Sequence, residues 1–120
     1  MAKIIEKPSE IECVGTKNKI IKEFIGVVNS DTCDLSIAKM ESPEGWEEPG
    51  QTPEFDEYTV VLKGTLTVET RAGTLEVSEG KAIICPKNEW VRYSTPTPGG
   101  AEYIAVCLPA FSNETVNRDA

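Results

Sequence analysis

From Tyr58 to Pro109 the chain is cut at short, regular intervals by glycine and proline, and this punctuation limits the fold more than any other feature. Tyr58 to Leu62 runs into Lys63-Gly64, Thr65 to Thr70 into Arg71-Ala72-Gly73, and Thr74 to Val77 into Glu79-Gly80. Ala82 to Cys85 stops at Pro86, Val91 to Thr95 ends at Pro96 and Pro98, and Gly99-Gly100 leads into Glu102 to Leu108, closed by Pro109. Short segments spaced roughly ten residues apart and separated by turn residues form sandwiches or barrels rather than parallel sheets with crossover helices. Composition agrees. Val, Ile and Thr make 31 residues against 13 for Ala and Leu, which favours pleated, half-buried surface over helix.

The first third is punctuated less clearly. Ile20, Ile21, Phe24, Ile25 and Val28 fit a helical stripe, but Asn29-Ser30-Asp31 and the strand-like Leu35 to Met40 follow at once. The pair reads as a hairpin, with a helical turn as the alternative. Glu41 to Gln51 carries Pro43, Gly45, Pro49 and Gly50 and reads as a loop, and Pro53 keeps the chain irregular up to a strand at Glu57. In the tail, Phe111 to Ala120, Ser112 or Asn113 can cap one helical turn, as a packing flap or a frayed end. The expectation is one all-β domain over residues 1–120, with short irregular termini and a barrel core over about 35–109.

Several function classes fall away. The chain has no histidine, which removes the usual triads, the histidine-based zinc and iron sites, and the side chain that titrates nearest neutral pH. A net charge of -8 repels phosphate backbones, and no basic patch offsets it, so no nucleic-acid partner is expected. Ile104 to Leu108 is too short to cross a bilayer, and Met1 to Pro8 lacks the apolar segment and cleavage site of a signal peptide. A cytoplasmic protein with no membrane partner is expected. The four cysteines, Cys13, Cys33, Cys85 and Cys107, show no Cys-x-x-Cys spacing, and free buried thiols are the plain reading.

Two frames of fixed spacing carry the reading further. From Gly45, five residues lead to Gln51, one more to Pro53, three more to Glu57 and six more to Gly64. From Gly80, five residues lead to Pro86-Lys87-Asn88, two more to Val91 and three more to Thr95. These resemble the two motifs of the cupin superfamily, which implies a jelly-roll barrel with the pocket between the motifs. In metal-binding cupins the corresponding positions supply three histidines and a glutamate; here they read Gln51, Pro53, Glu57 and Val91. Proline and valine carry no donor atom, so no metal and no cofactor is expected. Asn88 stands where the second motif has glycine, and asparagine tolerates positive φ best among the other residues. Phe55-Asp56-Glu57, Val61 to Leu66 and Ala105 to Ala110 look like the ethanolamine-utilisation type of cupin, linked to acetate or phosphoryl chemistry in bacterial microcompartments. That similarity is of pattern, and no catalytic residue comes from it.

Strand alternation then places side chains. If Glu57 faces the interior, so do Thr59 and Val61; from Val91, so do Tyr93 and Thr95. The candidate ligand-binding set is Gln51, Glu57, Thr59, Cys85, Val91 and Tyr93, with Trp46 on its loop as either a cover or a packing residue. Glu57 is the first candidate for general acid or base, and Tyr93 the second, each with a purely structural alternative. Trp90 reads as packing, and Arg92 points outward to an ion pair. Between Glu41 and Tyr58 lie seven acidic residues and no Lys or Arg, a solvated loop or an attraction for a cation. The first function expected is binding of a small polar metabolite. A metal-independent isomerase, epimerase or lyase using Glu57 is the alternative, followed by a carboxylate-liganded metalloenzyme. Pairing through edge strands gives an expected homodimer.

Overall fold

The structure, a computed structural model, describes residues 1–120. It is all-β. In chain order the strands are β1 Ser9–Ile11, β2 Ile20–Ile25, β3 Ser36–Ser42, β4 Trp46–Glu47, β5 Asp56–Thr70, β6 Gly73–Ser78, β7 Ala82–Cys85, β8 Val91–Thr95 and β9 Ala101–Leu108. All pairings are antiparallel, and two curled sheets share the long strand β5. One sheet runs β1-β2-β3-β9-β5-β7 and the other β6-β5-β8-β4, a jelly-roll barrel. No helix is long and apolar enough to cross a membrane.

The β-prone residues from Glu57 to Thr70 form one strand, where two are expected on either side of a turn at Lys63-Gly64. That expectation is corrected. The first part of β5 pairs with β9 and β7, the second with β6 and β8, and the strand bends as it passes between sheets. Its register against β9 shifts between Val61 and Lys63, the mark of a bulge. Gly64 follows at φ 73°, and a Cβ there would strike the Gly100 carbonyl oxygen. A residue with a side chain fits neither demand.

Elsewhere the punctuation and the strands agree closely. The Ile20–Met40 region is the hairpin, β2 against β3, without a helical turn. Within the expected loop, β3 extends to Ser42, and Trp46-Glu47 pairs with Thr95 and Ser94. The tail is a packing flap. Thr115 and Val116 donate backbone hydrogen bonds to the Ser112 carbonyl at 3.3 and 3.2 Å, closing one turn. Val116 is buried with Phe55 and Cys107, and the Phe55 and Phe111 rings meet at 5.8 Å.

The main core is lined by the inward residues of the second sheet and the far end of the first: Trp46, Val61, Leu66, Val68, Val77 and Val91 among them. Burying each aliphatic side chain contributes about 1.5–3 kcal/mol. On the outside of the first sheet, Tyr58, Val60 and Leu62 of β5, Ile84 of β7 and Leu108 of β9 remain exposed.

Candidate functional site

The first sheet encloses a cavity because its inward residues are small. Along β3 and β9 the facing pairs are Ser36 with Cys107 and Ala38 with Ala105, which leave room where larger side chains would meet. The space is about 730 Å³, counting the part open to solvent. Ile11, Ile21, Ala38, Met40, Ala105 and Phe111 form an apolar wall. Lys19, Glu48, Gln51, Glu57, Tyr93 and Arg118 face it, an arrangement suited to a small organic ligand held by few polar contacts.

The two motifs place this polar side. Gln51 and Val91 form an isolated bridge, exchanging backbone hydrogen bonds of 2.8 and 2.9 Å. The Pro53 carbonyl accepts a hydrogen bond from the Asn88 backbone at 2.6 Å, with Asn88 at φ 66°, so the turn that asparagine was expected to tolerate is formed. Glu57 lies opposite Cys85 on β7 and Cys107 on β9, its side chain in the cavity. The four motif positions are thus brought together, but proline and valine offer no donor atom. No group of three His, Cys, Asp or Glu side chains lies close enough to hold a metal. The residues at this site do not fit a metal ion.

Of the residues singled out in the sequence, Gln51, Glu57 and Tyr93 line the cavity. Thr59, Cys85, Val91 and Trp46 do not. All four are buried, but inward-pointing residues at the filled end of the barrel meet other side chains instead of open space. Trp46 is packing: fully buried, it donates its indole N–H to the Val14 carbonyl at 3.2 Å. Trp90 donates to Asp119 at 2.9 Å. Arg92 points outward and pairs with Glu69 at 2.8 Å and Glu47 at 3.3 Å.

Several lining residues escape the sequence reading. Lys19 precedes β2 with no motif around it, and its ammonium sits 4.0 Å from the Trp46 ring centre and 5.3 Å from that of Tyr103. Arg118 and Phe111 arrive on the tail flap. From the acidic run, Glu48 joins Glu57 at the cavity, whereas Glu47 pairs with Arg92 and Glu54 accepts from Asn117 at 3.0 Å. Composition marks the run but not which of its members turns inward.

Burial sets the electrostatics. Glu57 is pushed up to about 7 by desolvation and by Glu48, with Lys19 and the nearby Tyr93 hydroxyl pulling it part of the way back. Glu48 is also raised by burial, against the opposing pull of Lys19 and Arg118. Burial works against the charge on Lys19, yet Tyr103, Glu48 and Glu57 more than offset it and hold the ammonium above its usual range. Burial keeps the Tyr93 phenol and the Cys85 and Cys107 thiols protonated, Glu57 adding to the effect on each, so neither thiol is a ready nucleophile. The Tyr93 hydroxyl lies close to Glu57 and Cys85 but in hydrogen-bonding geometry with neither, and it has no other partner. Neither Lys19 nor Arg118 forms an ion pair.

No family model matches the chain. It is 38% identical over 101 residues to endoribonuclease YbeY of Myxococcus xanthus, an alignment covering 84% of this chain and 34% of that protein. The chain therefore spans about a third of the curated relative it matches. Among solved structures it is similar to the polyketide cyclase RemF from Streptomyces resistomycificus, with TM-score 0.78 and 17% identity over 100% of this chain and 87% of that one. It is also similar to the EutQ protein of Clostridium difficile, with TM-score 0.61 and 26% identity over 77% of this chain and 63% of that one.

Proposed function

The chain has the cupin fold, and from that premise, with one carboxylate left of the four metal-ligand positions, we propose that it binds a small organic molecule in the cavity around Glu57. One observation carries the reading: a carboxyl and an unpartnered hydroxyl, Glu57 and Tyr93, share an open space with an apolar wall opposite. Buried polar groups without partners are costly, and a ligand that supplies the missing bonds recovers that cost. The activity in the relative's name is not carried over, because the chain matches a third of that protein and its charge of -8 opposes RNA. A cytoplasmic location and a homodimer belong to the same reading, the exposed apolar row from Tyr58 to Ile84 offering a surface for the second copy.

The reading is tested by filling the cavity. Ala105→Phe places a ring in the open space, and we expect it to abolish the ligand-induced rise in Tm found by screening small acids, sugars and amines. Stabilisation that persists in this variant would move the site elsewhere.

A second reading, conversion rather than storage of the ligand, is favoured by the position of Glu57 near 7, where a carboxyl both gives and takes a proton at neutral pH. Glu57→Gln then leaves binding intact and stops turnover.

A further inference from the structure

The charged groups at the cavity come in opposite pairs. Lys19 and Arg118 face it with no ion pair of their own, and Glu48 and Glu57 supply the balancing carboxyls. Glu23, also on the wall, has its carboxylate taken by the Val28 and Asn29 backbone N–H groups at 3.0 and 2.8 Å, and Glu12 is exposed. A ligand ion of either sign would upset this balance in a partly desolvated space, whereas an uncharged ligand would not. The apolar wall of Ile11, Ile21, Ala38, Met40, Ala105 and Phe111 requires that most of the ligand be hydrocarbon. Its polar end must meet a base, Glu57, and a donor, the Tyr93 hydroxyl.

Resting on the binding reading above, we propose that the cavity takes an uncharged, mainly apolar carbonyl compound, and that Glu57 removes a proton from the carbon beside the carbonyl. The C–H bond breaks, its electron pair becomes the new C=C bond, and the carbonyl π pair moves onto oxygen. The proton resides on the Glu57 carboxyl, and the oxyanion accepts a hydrogen bond from Tyr93. Charge passes from Glu57 to the substrate oxygen, so the total in the cavity does not change. Lys19 and Arg118, not neutralised by contact with a carboxylate, stabilise the negative charge at its new position. Return of the proton to the same or a neighbouring carbon completes an exchange, racemisation or isomerisation without any co-reactant.

The probe is 2-tetralone with the full chain in heavy water, with deuterium entry beside the carbonyl followed by proton NMR and binding followed by calorimetry. General-base catalysis of this kind is worth about 10²–10⁴-fold. The wild type should therefore exchange at least about 100-fold faster than Glu57→Gln, while the two bind tetralone within about threefold of one another. Lys19→Met should slow exchange about tenfold without loss of binding, a split that a merely structural lysine would not produce. Equal exchange by wild type and Glu57→Gln at saturating tetralone overturns the proposal and leaves the binding site standing. Tighter binding of 2-naphthoate or 2-naphthylammonium than of tetralone also overturns it, again with the site intact. If none of the three binds, the binding reading falls with it.

Discussion

Where β5 passes from Glu57, Thr59 and Val61 to Leu66 and Val68, the interior changes from a cavity to a packed core, although strand, pairing and alternation continue. The difference lies in the partners. In the first sheet Ser36, Ala38, Ala105 and Cys107 face one another and fill little volume; in the second, Leu66, Val68, Val77 and Val91 close with Trp46 into solid contact. Interiors pack to nearly constant density unless small residues meet. An acid such as Glu57 persists at the hollow end because water and polar neighbours reach it. At the solid end it would be stranded.

The sharpest way to break the contrast is Leu66→Ala. It removes a fully buried side chain from the solid half and should cost about 2–5 kcal/mol in urea unfolding. A loss within the range of an exposed site would show that this half is not tightly packed.

Next in size is the pH dependence at the hollow end. Glu57 rises from 4.5 to about 7 in the folded chain, so the native state binds its proton more tightly than the unfolded one. Stability from this group is fully present below about 4.5 and is lost as pH rises through about 7. Allowing for water in the cavity, the loss is about 2 kcal/mol. Glu57→Gln should flatten that part of the stability profile, and an unchanged profile would place the titration elsewhere.

The smallest effect belongs to Ala105→Leu. Extra methylenes forced into a packed core cost about 1–3 kcal/mol, but here they enter open space and should change stability by less than about 1 kcal/mol. The same enlargement at Val68 should show the full overpacking cost, and equal costs at the two positions would deny that the halves differ.

Strand positions were legible because glycine and proline act locally: Gly73, Gly80, Pro86 and Pro96 end segments whatever surrounds them. Gly64 misled, because a bend between sheets and a turn between strands make the same demand for positive φ, and only the distant Gly100 carbonyl separates them. In the site, Glu57 and Tyr93 followed from alternation along β5 and β8. Lys19, Glu48 and Arg118 did not, because each reaches the cavity from irregular chain whose course depends on packing far away in sequence. Trp46 sits in a short strand set by its pairing with Thr95 and Ser94.

The sequence by itself determined an antiparallel β fold, the two motif frames and the loss of metal donors, since turn residues and side-chain donor atoms are local properties of the chain. Only the tertiary structure decided that one half is hollow and that Lys19 and Arg118 meet Glu48 and Glu57 there. Volume and charge balance are sums over residues that the fold brings together from positions 11 to 118.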